Sequence, residues 1–287
     1  MDKGRSMNLQ LKNIGMIKDA NVKIEGLSVI AGENDTGKST VGKFLFKEVR
    51  KYLLSKNKQE NLILNNDEIL NSPLFIETPD LLAKFSYIKN TSILLQQNQL
   101  NFPLPIEVTD LILRISQPQI KNKNIKLFQY IKNIIDGEVY YDKSKDDIFY
   151  KKGNLRLEMY KTSNGIKMFG FFQMLILNES IKEGTILILD EPEVHLHPKW
   201  QLLLAEFIVN IVNEIKVKVL VTSHSPYMID ALKYYSDKVK INSNFYLAEK
   251  KDKYSFIHDV TMDVSPIFQK LTEPLEELRK VKLGLSL

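Results

Sequence analysis

Gly32-Glu33-Asn34-Asp35-Thr36-Gly37-Lys38-Ser39 is the stretch from which the rest of this chain can be read. It has the form G-x-x-x-x-G-K-[ST], and its flanks are the ones that form needs. Before it, Leu27-Ser28-Val29-Ile30-Ala31 is a short apolar run that predicts a buried strand. After it, Val41, Phe44, Leu45, Val49, Tyr52 and Leu53 recur at helical spacing. The glycines let the backbone turn so that successive N–H groups point inward at phosphate oxygens. The start of the following helix adds partial positive charge. In this reading Lys38 reaches the β- and γ-phosphates and the Ser39 hydroxyl ligates Mg²⁺. The binding set is Gly32, Glu33, Asn34, Asp35, Thr36, Gly37, Lys38, Ser39 and Thr40. The bland alternative is a glycine turn capping an ordinary helix.

The 287 residues allow one large domain, or one domain with a sizeable insert. A hydrophobic share of 44% suits a chain that buries a real core. The net charge of +5 permits contact with nucleic acid without arguing for it. There is no Cys, which rules out disulfides and thiolate metal sites and suits a reducing cytoplasm. No apolar run has the length of a membrane span, so no membrane contact is expected. The polar start Met1-Asp2-Lys3-Gly4-Arg5-Ser6 reads as a leader ahead of a start at Met7.

Asn8 to Lys12 and Ala20 to Ile24 alternate on either side of Gly15 and predict a hairpin leading into the phosphate-loop strand. The helix after the loop fades near Lys56. Residues 57–135 read as a mostly helical insert within a single 1–287 domain, with helices near 106–116 and 125–135. No long heptad pattern appears, so no coiled-coil arm is expected. Residues 137–160 alternate as a β meander. A loop at Thr162–Gly165 opens an apolar helix from Ile166 to about Ser180. Thr185–Leu189 and Val217–Thr222 are apolar strands, as in a sheet covered on both faces. Helices are predicted over 199–214 and 226–236, edge strands at 245–249 and 254–259, and a short charged helix near 273–283. Strands alternating with helices give an α/β class with a mainly parallel central sheet.

A second motif, Ile186-Leu187-Ile188-Leu189-Asp190-Glu191-Pro192, ends an apolar strand in two carboxylates at its carboxyl end. That edge is where ligands sit in α/β sheets. Asp190 is placed to hold Mg²⁺ through its water shell, and Glu191 to polarise a water beside the γ-phosphate. A third motif, Val221-Thr222-Ser223-His224-Ser225-Pro226, brings another strand end to the same edge. There His224 can contact the γ-phosphate or the attacking water. The catalytic set is therefore Glu191, His224 and Lys38. Taken alone, an acidic pair after a strand is often a cap, and a lone His is often structural.

Together with Glu193-Val194-His195-Leu196-His197-Pro198, these motifs resemble the ABC-type ATPase superfamily. Within it they are similar to the branch that groups RecF and SMC heads with OLD-like prokaryotic ATPases. The resemblance covers roughly residues 7–50 and 137–235. It implies a P-loop, ABC-ATPase-like head that binds ATP and Mg²⁺ and hydrolyses ATP. It also implies a homodimer or higher oligomer that sandwiches each nucleotide between the phosphate loop of one copy and a signature loop of another. The transporter signature Leu-Ser-Gly-Gly-Gln is absent. By the resemblance its place falls on Thr162-Ser163-Asn164-Gly165-Ile166-Lys167, with Ser163 and Gly165 presented to the partner's γ-phosphate. The alternative there is a plain N-cap on Ser163 or Asn164. His197 stands where the family often has Asp in its dimer-interface loop.

Glu193, His195 and His197 would share one side of an extended segment, but no further ligand cluster supports Zn²⁺. For the family's Gln loop, Phe75-Ile76-Glu77-Thr78-Pro79, Gln96, Gln97 and Gln99 lie at suitable distances. The lysines at 121–126 and 250–253 read as solvated faces. OLD-like relatives often carry a C-terminal nuclease, and the segment after residue 236 holds no acidic cluster of that kind. The resemblance thus implies an ATPase with a separate effector, a nuclease or toxin, in antiphage defence or DNA maintenance. A nucleotide-gated scaffold that turns over slowly, and a transporter subunit, are the alternatives.

Overall fold

The computed structural model describes residues 7–55, 62–64, 70–77, 80–98, 104–118 and 125–283. The expected leader, Thr78-Pro79, Gln99 and most of the 121–126 lysine cluster lie outside them. In chain order, β1 (Met7–Ile14), β2 (Ile17–Ile24) and β3 (Leu27–Gly32) lead to α1 (Lys38–Ser55). Next come β4 (Leu62–Leu64), β5 (Leu74–Ile76), α2 (Asp80–Ala83), α3 (Phe85–Gln97), α4 (Ile106–Ile115) and α5 (Ile125–Ile135). The meander is β6 (Glu138–Asp142), β7 (Asp147–Lys152) and β8 (Leu155–Glu158), followed by α6 (Asn164–Leu177). Then β9 (Ile186–Asp190), α7 (Pro198–Ile215), β10 (Lys218–Ser223) and α8 (Pro226–Val239) alternate. The last elements are β11 (Ser243–Lys251), β12 (Tyr254–Asp259) and α9 (Ser265–Lys282).

Nine strands form one sheet in the order β4-β1-β2-β12-β11-β3-β10-β9-β5. From β11 to β5 every neighbour is parallel. The antiparallel pairs are β1 with β2, β1 with β4, and β11 with β12. The meander forms a separate three-stranded antiparallel sheet. This is the α/β architecture expected from the alternation of strands and helices.

The side chains of the central strands alternate between two faces. Val29, Leu187, Leu189, Val219 and Val221 face a core shared with α6, α7 and α8. Ile30, Ile186, Ile188 and Leu220 face the other way, onto Val41, Leu45, Phe46 and Val49 of α1. Both faces are covered, which is why these strands read as unbroken apolar runs. Gly42 lets α1 approach β9 and β5: a Cβ there would meet Ile188 at 3.0 Å and Phe75 at 3.2 Å.

Three placements differ from the sequence reading. β11 and β12 are interior strands, not edges. β11 lies between β3 and β12, with Phe245, Tyr246, Leu247 and Ala248 all buried. β12 in turn lies between β11 and β2. The described residues of the 57–135 stretch hold four helices, but β4 and β5 within it pair with β1 and β9 of the main sheet. Finally, α9 starts well before residue 273, because Ile267 is buried and anchors its first turn. Among the described residues, no helix is long and apolar enough to cross a membrane.

Candidate active site

Strand register explains how distant residues come together. Ser223 pairs with Ala31, Thr222 with Asp190, and Ile76 with Leu189. The phosphate loop, the acidic pair, the His224 turn and Glu77 therefore all leave the sheet at the carboxyl ends of adjacent parallel strands.

In the loop, Gly32 must be glycine: a Cβ would stand 2.4 Å from the Ala248 carbonyl oxygen of β11. Gly37 has φ +82°, a conformation that other residues rarely adopt. The Thr36 hydroxyl donates to Glu33 O at 2.8 Å and pins the turn. Lys38 is buried, and its ammonium donates to Gly32 O at 2.9 Å and Glu33 O at 2.6 Å. The same ammonium lies 3.4 Å from Glu191 Oε1.

Glu33, Asn34 and Asp35 are exposed. Lys250 of β11 pairs with Asp35, and Lys270 of α9 lies 3.9 Å from Glu33 Oε2. The lysines at 250–253 are exposed, as expected of a solvated face, and Lys250 also borders the loop. Thr40 is half-buried on the first turn of α1, with its methyl near Gly15.

Asp190 is buried, and burial pushes its carboxyl above the usual carboxylate range. Hydrogen bonds from the Thr222 and Ser39 hydroxyls oppose that push, while the charges of Glu77 and Glu191 add to it. The Thr222 bond is 2.5 Å long. Thr222 Oγ1 also accepts the Glu191 N–H at 3.1 Å, so one side chain locks both acidic residues. Glu191 has φ +48°, a left-handed conformation that costs about 1–3 kcal/mol in a non-glycine residue. Such strain persists where neighbouring bonds over-determine it, and it re-aims the side chain toward Lys38 and His224. His224 Nδ1 lies 3.2 Å from Glu191 Oε1 and 4.0 Å from Glu193 Oε1.

Lys38, Ser39, Asp190, Glu191 and His224 thus stand together. Ser163 and Gly165 stand elsewhere. Ser163 is the exposed N-cap of α6, accepting from Ile166 N at 3.4 Å. Gly165 is buried, and a Cβ there would lie 2.5 Å from the Trp200 ring, so packing alone demands glycine. Lys167 turns to Asn164 and Asp80.

Glu193, His195 and His197 do not share one side. The segment is a turn, with Val194 N donating to Glu191 O at 3.1 Å and Leu196 N to Glu193 O at 2.9 Å. Glu193 points inward, while His195 and His197 are exposed. His197 caps α7, its Nδ1 accepting from Lys199 N at 3.3 Å. Among the described residues no His, Asp and Glu group forms a metal cluster of three or more. Of the Gln-loop candidates, Glu77 follows β5 beside β9 and lies 3.4 Å from Lys43. Gln97 is exposed at the last residue of α3. The sequence reading assigned no role to Thr222 and weighed Glu193 only as a metal ligand. Their signal is weak, because a strand-end Thr and a Glu after a Pro are common in turns.

Residues 65–230 match the family described as "AAA domain, putative AbiEii toxin, Type IV TA system". The chain belongs to this family. This AAA-domain chain is also 30% identical over 155 residues to the Septu protein PtuA of Bacillus thuringiensis, a match that covers 51% of this chain and 34% of that protein. The match thus spans about a third of the relative's length. Among solved structures, an Smc head bound to the C-terminal winged-helix domain of ScpA superposes with a TM-score of 0.53 at 11% identity, covering 91% of this chain and 98% of the other. The chain is therefore an AAA-domain protein by family, with a phosphate loop and an SMC-head-like fold.

Proposed function

We propose that this chain binds ATP with Mg²⁺, closes with a second copy around the nucleotide, and hydrolyses it. The observation that carries the reading is Glu191, held within 3.4 Å of the phosphate-loop lysine and 3.2 Å of His224. The loop N–H groups and the start of α1 would cradle the phosphates. Lys38 would exchange its two carbonyl contacts for phosphate oxygens, a stronger, charge-assisted bond. Glu191 would accept the proton of the attacking water, a role worth about 10²–10⁴-fold in rate. His224 would contact the γ-phosphate.

The donor set at Ser39 and Asp190 is hard oxygen, one hydroxyl beside one buried carboxylate, and it suits Mg²⁺. Glu77 adds a third oxygen donor from the next strand. Bound there, the ion would supply neutralisation of the charge shared by the β- and γ-phosphates.

The second copy would close the pocket with its Ser163 face, excluding water and making the γ-phosphate part of the interface. Hydrolysis would then remove that bridge and shift the equilibrium toward the open form. The family description as part of a toxin–antitoxin system, and the similarity to a Septu protein, support a multi-protein setting. We place it in antiphage defence, with the effector on a separate chain.

The test is phosphate release by the purified chain with Mg-ATP, alongside light scattering of the Glu191→Gln variant. Turnover in the wild type and an ATP-bound dimer in the variant are expected. Nucleotide binding with no turnover under any condition would favour the gated scaffold instead. No dimer with ATP would overturn the sandwich.

A further inference from the structure

The turn after β9 and the turn after β10 are joined by a buried polar chain that the hydrolysis scheme leaves unused. Glu193 is 2% exposed. Its Oε1 accepts the Ser223 hydroxyl at 2.5 Å and the His224 main-chain N–H at 3.2 Å. The Ser223 oxygen in turn accepts the Ser225 N–H at 3.1 Å. The Ser225 hydroxyl donates to Gln201 Oε1 at 2.6 Å, and Gln201 Nε2 donates to Leu196 O at 2.9 Å. The run closes a ring from the 193–196 turn, through the first turn of α7, to the His224 turn and back.

Burying a carboxylate is expensive unless it is well bonded. Here Glu193 Oε2 is buried and has no hydrogen-bond partner. His224 Nδ1 is likewise buried, and although close to Glu191 it is not aligned for a hydrogen bond. A carboxylate kept under these terms does more than cap a turn, since a Ser or Asn could accept the same N–H. Two acceptor contacts from one oxygen fix both the main chain and the preceding side chain at the position that presents the imidazole.

We infer that Glu193 is the positioning residue of His224, and that Gln201 and Ser225 form the strut linking it to the 194–197 turn. The inference rests on the role given to His224 above. It goes further in naming what aims the ring and where a change at the 194–197 turn would be felt. Without Glu193 the His224 main chain loses its anchor, and the ring samples orientations away from Glu191.

The experiment combines kinetics with a direct view of the ring. The sequence holds four His, namely His195, His197, His224 and His258, so ¹³C-imidazole spectra of the full chain give four resolvable signals. Glu193→Ala should lower kcat about tenfold with KM within twofold, and should move the His224 signal while leaving His258 in place. Glu193→Gln keeps the accepting oxygen and should restore both readouts. A folded Glu193→Ala protein with an unmoved His224 signal, or with wild-type kcat, overturns the inference. Should that variant fail to fold, Ser223→Ala cuts the same strut at its hydroxyl, and an unmoved His224 signal there overturns it equally. Wild-type turnover in His224→Ala would instead sink the role of His224 in the reaction, while the spectra still report whether Glu193 positions it.

Discussion

The Lys38 ammonium and the Glu191 carboxylate meet at 3.4 Å at the ends of two strands that are not neighbours, with β10 between them. That lysine is held by two carbonyls and one carboxylate. A triphosphate must compete with Glu191 for it. Glu191→Gln removes the competing charge as well as the base. The variant should bind ATP at least threefold more tightly while turning over about 100-fold more slowly. Fluorescent-nucleotide titration and phosphate release measure the two effects. Weaker binding by the variant would count against the competition.

Glu33 and Asp35 bring two carboxylates to a loop that would hold a polyanion, and Lys270 and Lys250 sit beside them. Lys250→Ala should leave Asp35 uncompensated and raise the Kd for ATP several-fold, more at low salt than at high salt. Adding Asp35→Asn should restore affinity. These pairs are exposed, so the melting temperature should barely move. A large loss of stability would show that the pair is structural instead.

Thr222 satisfies Asp190 and the Glu191 N–H at once. Thr222→Val keeps the shape and deletes the hydroxyl, leaving a buried carboxylate oxygen short of a donor. The expected loss is about 1–3 kcal/mol of stability, with a clear fall in kcat. Denaturant titration checks the first and steady-state kinetics the second. An unchanged kcat would detach Thr222 from the site's alignment.

Gly165 is buried against Trp200. Gly165→Ala should lose about 1–3 kcal/mol by overpacking, and Trp200→Leu in the same chain should return most of it. If turnover stays low in the double variant once stability is restored, Gly165 also serves the partner-facing loop. If turnover recovers, glycine is there for the ring alone.

Burial holds the Glu193 carboxyl above its ordinary value of 4.5, against hydrogen bonds from Ser223 and His224 and the His224 charge. Between the unfolded and folded values the native chain binds the extra proton, so its stability falls as pH rises through that window. Gln carries no such linkage. The melting temperature of Glu193→Gln minus that of wild type should be smallest below about pH 4 and grow by a few degrees toward neutrality. Repeating the comparison in a His224→Asn background takes the imidazole out of it, and in both backgrounds Glu191 is kept. A difference that does not change with pH would mean that folding leaves the Glu193 carboxyl at its ordinary value.

The sequence makes the strands of the site legible because each motif is local. A glycine loop between an apolar run and a helical period declares itself, and so do two carboxylates or a His after an apolar strand. What it hides is non-local. Nothing in Ser243–Lys251 says that it will lie beside β3 rather than at an edge, since sheet order depends on partners more than two hundred residues away. The role of Thr222 appears only when register sets it opposite Asp190. Likewise Glu193 looked like one tooth of an alternating His motif until the turn rotated it inward.

The position of β11 has a consequence for synthesis. The strand that carries the phosphate loop leaves the ribosome well before one of its two sheet neighbours, β11, made from residues 243–251. Chain segments fold roughly in the order they appear. A nascent chain that stops short of β11 therefore exposes one flank of β3, including the Gly32 backbone that Ala248 later covers. The surroundings of the phosphate loop are complete only once β11 has been translated, and ribosome-bound fragments ending before residue 243 should capture ATP poorly.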